Sequence, residues 1–365
     1  MAAVTTAMVK ELRDLTGAGI MACKNALVEN DGDMDKAIDA LRKRGEAQAV
    51  KKAGRIAAEG LVDLVVKDDK NASIVEVNSE TDFVAKTDKF KDFVKAVVEQ
   101  VYAYDAVDVD ELKNDKLISD PSRTVGEELV NQIATIGENL SIRRFARIKS
   151  DGLVVGYIHG GGRIGVLVEA KAENNDANKE ALKNVAMQVA AMNPQYISRD
   201  NMSEKELADL REVVVDSSLN TPETLAKPVL LQMIEQVRAE SLWSDQDVAT
   251  YEEQKNNLNY LFNFLSKEAK AAVASVAMKN KETISQNKIF QGLVEGRFSK
   301  QLKDICLMDQ VYVKAEDGKQ TVARYLESVD KNLTVTNIVR FEVGEGIEKK
   351  EENFAEEVAK QMSGN

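Results

Sequence analysis

The sequence predicts an α+β protein with three parts: a small N-terminal helical module, an α+β core present in two copies, and a helical segment inserted into the second copy. Three observations lead there. Apolar residues recur at helical spacing through Leu41, then switch to a period of two from Gly60, the signature of half-buried strands. The order hairpin, acidic loop, helix occurs twice at an offset of roughly 92 residues, which fits two copies of one unit and not a solenoid. Only 4 prolines interrupt 365 residues, so long helices can run unbroken.

Residues 4–44 read as three short helices. Val4, Met8, Val9, Leu12 and Leu15 line the first. Thr16-Gly17-Ala18-Gly19 breaks it, and Thr16 is expected to cap the second helix, which carries Met21, Lys24, Ala26, Leu27 and Val28. Asn30-Asp31-Gly32-Asp33 ends that helix and offers Asp33 as cap for a third, through Met34, Ala37, Ile38 and Leu41. So small a bundle suits a ligand-presenting module of the ubiquitin-associated type. A basic stretch follows, with Arg42, Lys43, Arg44, Lys51, Lys52 and Arg55, completing a first domain over 1–55. It reads as a solvated linker, as a surface for an acidic protein, or as an RNA-touching arm.

Strands are expected over 60–66 and 73–77, joined by Asp68-Asp69-Lys70-Asn71, with a helix through Phe90, Phe93, Val94, Val97, Val98 and Val101. This first core subdomain spans 56–140. A second hairpin, 153–158 and 164–168, turns around His159-Gly160-Gly161-Gly162 and leads to a helix through Leu182, Val185, Ala186, Val189 and Met192. Further strands are read at 141–147 and 335–343, giving a second subdomain over 141–202 and 286–348. Between its parts lies 203–285, opened by the capping box Ser203-Glu204-Lys205-Glu206 and containing Thr221-Pro222 as a second cap signal. Heptads hold there only in patches, so a helical hairpin with an enlarged tip is expected. Phe354-Ala355-Glu356-Glu357-Val358-Ala359 reads as a final helix within 349–365.

Composition narrows the function. A net charge of −12 repels a phosphate backbone over most of the surface, so no direct nucleic-acid contact is expected outside the basic stretch. The 2 cysteines, Cys23 and Cys306, lie far apart in sequence and fit a reducing cytoplasm. No run of about 18 apolar residues is long enough to span a bilayer, and the N-terminus lacks a secretion-signal layout. His159 is the only histidine, which disfavours His-rich metal sites. The His159-Gly160-Gly161-Gly162 run is similar to an oxyanion-hole stretch, but no G-x-S-x-G nucleophile accompanies it. Neither a phosphate-binding loop nor a dinucleotide fingerprint is present. An enzyme is therefore not expected.

Five segments, in order, resemble one family. Residues Thr16 to Leu27 (TGAGIMACKNAL) resemble the first signature of bacterial elongation factor Ts, and Glu76 to Ala85 (EVNSETDFVA) its second. Tyr157-Ile158-His159-Gly160 with Arg163 to Val168, then Val294-Glu295-Gly296-Arg297, then Arg340 to Glu348 follow in the family's sequence. The resemblance covers the chain except roughly 215–285, where a much shorter turn is expected in the family, at the end of a coiled-coil hairpin. It implies a nucleotide exchange factor that binds GDP-bound elongation factor Tu, expels GDP and holds the nucleotide-free protein until GTP enters. It implies no catalytic residue, metal or cofactor of its own, and a homodimer or a two-plus-two complex is compatible with it. Thr81, Asp82, Phe83 and Val84 would dislodge the magnesium ion beside GDP. Left to local pattern, Asp82 is equally a helix cap and Phe83 an ordinary core residue. Arg13, Met21 and Lys24 would lie on an N-terminal contact surface; packing for Met21 and solvated charge for the others is the plainer reading. His159 would meet the partner near its phosphate site, or be a turn residue without a role. Tyr312 and Val313 fall near a further contact on a loose alignment.

Overall fold

The computed structural model describes residues 4–348, and the helix read in 349–365 lies outside them. By internal contacts it divides into two units: Pro194–Ala323, and everything described on either side of it.

Helix starts follow local chemistry. In α1 (Thr6–Thr16) the Thr5 hydroxyl accepts from the Met8 amide, and Gly17 ends the helix in the left-handed region. Thr16 does not cap α2 (Ile20–Glu29), which begins on Gly19 with no side-chain bond. Its hydroxyl instead donates back to the Leu12 carbonyl at 2.7 Å and accepts from the Ala18 amide. Asp33 caps α3 (Met34–Lys52) as its position predicts. That helix does not stop near residue 44, because Glu46 to Lys52 holds good helix formers and no proline. The basic stretch is thus mostly helix, and Arg42, Arg44 and Arg55 pair with Glu127, Glu29 and Glu80. Leu12, Cys23, Ala26, Leu27 and Ala37 close the module's small core.

The first sheet is β1 (Glu59–Lys67), β2 (Asn71–Ser79) and, after α4 (Asp82–Ala85), α5 (Asp88–Ala103), α6 (Val109–Asn114) and α7 (Val125–Ile136), β3 (Leu140–Lys149). Residues 141–147, read above as part of the second subdomain, belong here: β3 runs antiparallel along β2 from Asn71↔Lys149 to Ser79↔Leu140. Local periodicity identifies a strand but not its partner. Asp68 and Asp69 take positive φ in the β1–β2 turn, which Asp tolerates better than most residues. The second sheet repeats the plan with β4 (Leu153–His159), β5 (Ile164–Lys171), α8 (Asp176–Met192) and β6 (Thr334–Glu342), in the order β4-β5-β6. In each sheet the third strand is bulged against the central one, β3 at Arg143 opposite Glu76/Val77 and β6 at Thr336 opposite Glu169/Ala170, as expected of two copies of one unit.

The two sheets share a core of Val62, Ile74, Ile148, Val154, Leu167, Phe341 and Val343. They approach closely at Gly165, where a methyl group would stand 2.4 Å from Val62 Cγ1 and 3.0 Å from Ile74 Cδ1. Beside this core Glu76, fully buried, accepts from Arg143 at 2.9 Å, Arg144 at 2.6 Å, Asn78 at 3.1 Å and the Gly344 amide at 2.8 Å.

The other unit holds α9 (Glu204–Asn220), α10 (Lys227–Ala239), α11 (Asp245–Gln254), α12 (Leu258–Phe264), α13 (Lys267–Lys279), α14 (Lys281–Ser285) and α15 (Lys288–Ile305). It reaches beyond the expected 203–285 at both ends, so residues 286–323, assigned above to the second core subdomain, belong to it. The capping box at Ser203 and Glu206 opens α9 as read. Thr221-Pro222 opens only a three-residue 3-10 turn, and α10 starts later with Pro228 in its first turn. The enlarged tip is not a separate appendage. Val214 and Leu219 of α9 and Phe290, Val294 and Phe298 of α15 share one cluster with Val229, Ile234, Leu261 and Val273. The helices from α10 to α14 have 5 to 13 residues, too short for a sustained heptad seam. α16 (Val322–Val329) then leads into β6.

Removing the Glu76 carboxylate takes the shared partner of two half-buried guanidinium groups and leaves the buried Gly344 amide without its acceptor at the junction of the sheets. Glu76→Ala should destabilise by about 3–5 kcal/mol, read as a lower urea midpoint with early loss of amide protection in β2 and β6. Unchanged protection there would show that the cluster does not hold the sheets together.

Candidate functional site

The segment after β2 is built to hold one aromatic ring in solvent. Ser79 Oγ donates to the Thr81 carbonyl at 2.9 Å, fixing the strand exit. Thr81 is extended (φ −124°, ψ 154°) and its hydroxyl accepts from the Val84 amide at 3.4 Å, capping α4. Of the two readings for Asp82, the cap is therefore excluded; it is the first helical residue. Ala85 is buried and Val84 packs at the edge of the first core, so the helix is pinned on one side. Phe83 falls on the other and is 78% exposed, which removes the core reading. Lys86 Nζ contacts Asp82 at 2.6 Å and sits 5.8 Å from the centre of the Phe83 ring. Its hydrogen bond, with its charge adding to the effect, holds the Asp82 carboxyl below the usual carboxylate range.

His159 ends β4, and Gly160, Gly161 and Gly162 complete the turn with φ of 58°, 65° and 98°. Such a run is open only to glycine at low cost. Tyr157, two residues earlier on the same strand face, brings its hydroxyl to 2.9 Å from His159 Nδ1. The turn is docked on the first sheet. The Val62 amide donates to the Gly162 carbonyl at 2.8 Å, and Arg163 pairs with Glu59 at 3.0 Å. Glu59 faces Ser79 in the β1–β2 register, two residues before Thr81. The exposed histidine and the exposed phenylalanine thus stand at the same end of one sheet.

Arg13, Met21 and Lys24 are all exposed, Met21 at 64%, so simple packing does not explain Met21. Their module adjoins the same region, because a methyl group at Gly17 would lie 3.8 Å from Lys89 Nζ at the start of α5. Cys23 is buried as a helix residue should be. Tyr312 and Val313 belong to the helical unit; Tyr312 is buried there and only Val313 is exposed. The sequence reading missed Lys86, Tyr157 and Glu138, whose carboxylate holds Thr81. The first two stand at legible spacings, four residues after Asp82 and two before His159. Glu138 lies 57 residues from Thr81 and carries no local signal.

Two rings, Phe83 and His159, thus face outward at this end among exposed charged side chains such as Asp82 and Lys86, on turns whose backbone is hydrogen-bonded. The chain matches the family model described as Elongation factor TS over residues 80–345. It is 43% identical over 366 residues to Elongation factor Ts of Clostridioides difficile (strain 630), covering 99% of this chain and 100% of that one. It is 42% identical over 368 residues to Elongation factor Ts of Clostridium kluyveri, with 99% of each covered. The Elongation factor Ts of Halothermothrix orenii is 38% identical over 356 residues, 97% of each chain. The chain belongs to the elongation factor Ts family.

Gly162 tests the docking of the His159 turn. A Cβ there would meet Leu61 Cδ2 at 2.7 Å and the Val62 carbonyl at 3.3 Å, at a φ of 98°. Gly162→Ala should cost about 1–3 kcal/mol and shift the single histidine resonance in NMR spectra. An unmoved His159 signal would mean that the turn does not depend on this contact.

Proposed function

We propose that this chain is a guanine nucleotide exchange factor for elongation factor Tu, acting in the cytoplasm during translation elongation. The observation that carries the reading is the Phe83 side chain, held outward on a capped helical turn, within a chain of this family. A rigid aromatic enters a partner's pocket at little cost in conformational entropy. Asp82, kept ionised by Lys86, then offers an acceptor for donors or water around the partner's magnesium ion. His159 reaches the neighbouring phosphate region, while Arg13, Met21 and Lys24, on a module we read as ubiquitin-associated-like, provide grip.

No covalent chemistry is needed. The factor and GDP are two ligands of one protein that disfavour each other, so whatever ratio the factor imposes on GDP binding, GDP imposes on the factor. A nucleotide-free complex is the state in which the factor's contacts are complete, and GTP entry dissolves it by the same coupling. The wedge should weigh on nucleotide release more than on affinity, since the N-terminal surface supplies separate contacts.

Release of fluorescent GDP from elongation factor Tu in a stopped-flow instrument tests this. The chain should accelerate release, and Phe83→Ala should lower the rate at saturation about thirtyfold, the equivalent of a hot-spot residue of about 2 kcal/mol. Complex formation with nucleotide-free partner should weaken less than about threefold. Absent acceleration by the unmodified chain rules out exchange; equal losses in rate and affinity point to docking without a wedge.

A further inference from the structure

Helix α7 ends on Gly137 in the left-handed region, and the chain turns there so that Glu138 meets the end of β2. Its two carboxylate oxygens take both donors of one residue. Oε2 accepts the Thr81 amide at 3.0 Å and Oε1 the Thr81 hydroxyl at 2.7 Å. The adjacent pair is joined in the opposite sense, the Asn139 amide donating to Glu80 Oε1 at 2.6 Å. Asn139 Nδ2 donates to the Arg55 carbonyl at 2.8 Å, and Arg55 pairs with Glu80 at 3.6 Å. Residues 80–81 and 138–139 are therefore locked to each other by reciprocal bonds, two of them bidentate on a single carboxylate.

The consequence reaches α4. The Thr81 hydroxyl has one proton, and giving it to Glu138 fixes the rotor so that an oxygen lone pair faces the Val84 amide. A helix of four residues cannot hold itself, since nucleation is unfavourable without outside contacts. Charge-assisted bonds to a part-buried carboxylate are the stronger kind. From this geometry we infer that Glu138 is a positioning residue for nucleotide exchange: it sets the Thr81 cap, the cap sets α4, and α4 sets the direction of Phe83. This inference rests on the exchange function proposed above.

The test compares Glu138→Ala and the isosteric Glu138→Gln, each in the unmodified and the Phe83→Ala backgrounds. Fluorescent GDP release from elongation factor Tu is measured over a range of factor concentrations, together with amide hydrogen exchange at Val84. Glu138→Ala should lower the maximal release rate about tenfold while the half-saturating concentration stays within about twofold. Glu138→Gln, which keeps one acceptor and guards against a folding failure, should lower it about threefold. Neither should lower it further once Phe83 is alanine, and in both the Val84 amide should exchange faster. An unchanged maximal rate, an equal fall in both backgrounds, or an unaltered Val84 amide overturns the role given to Glu138. If the unmodified chain accelerates nothing, the exchange function fails and this inference with it; if it accelerates release and only Glu138 is silent, the inference alone fails.

Discussion

Glu76 sits where the two halves of the core meet, and its carboxylate accepts four hydrogen bonds from three separate stretches of chain. Two come from β3 guanidinium groups, one from Asn78 on its own strand, and one from the backbone just after β6. A buried charge is costly unless its lone pairs are filled, so all three stretches are constrained together. Arg144 carries the constraint further, reaching Glu345 at 3.0 Å and lying 4.4 Å from the centre of the Phe341 ring. The bulge in β3 falls at the same place, at Arg143 opposite Glu76 and Val77, and the consecutive residues Arg143 and Arg144 both reach the one carboxylate. The exit of β2 is therefore set by the junction of the sheets, and the Thr81 turn inherits that setting.

Rigidity at the exit matters because a presented side chain contributes most when little freedom is lost on docking. Ser79 fixes the Thr81 carbonyl, Glu138 its amide and hydroxyl, and Lys86 spans Asp82 and the Phe83 ring. The hairpin bearing His159 is tied to β1 by the Val62 amide and by Arg163 on Glu59. The flat, exposed tip of a glycine-rich turn would otherwise be the least ordered part of such a sheet. Both outward features thus derive their order from the first sheet, although one belongs to each copy of the repeat.

Much of this is written locally and was legible. Strand alternation around Val75 and Val77, the caps Asp33 and Ser203, and the duplicated hairpin-helix order all come from interactions within a few residues. The family motifs pointed to Thr81–Val84 and His159 as well. What remained hidden depends on distant partners. Phe83 next to buried Ala85 looks equally like core, and only the capped turn decides which side each residue takes. The partner of β3 and the hold of Glu138 on Thr81 both require the folded core, whereas the continuation of α3 past Arg44 lies in its own helix formers. Thr16 is a case where a sound cap signal lost to a competing bond, its hydroxyl going back to Leu12.

The insertion raises a topological demand, because β6 must return to pair with β5 after the whole helical unit has been traversed. A long flexible excursion would add closure entropy and leave the returning strand free to slip in register. The unit prevents this by zipping its own neck. The Gln195 and Tyr196 amides donate to the Ile305 carbonyl, the Leu307 amide to Tyr196, and the Met308 amide to Ile197, all between 2.9 and 3.1 Å. Arg199 and Asp309 close the same neck with an ion pair at 2.8 Å. Above it the shared core from Val214 to Phe298 makes the interior of the excursion self-supporting. Entry and exit are thereby held together inside the inserted unit, so the second sheet can complete itself as though the intervening chain were short.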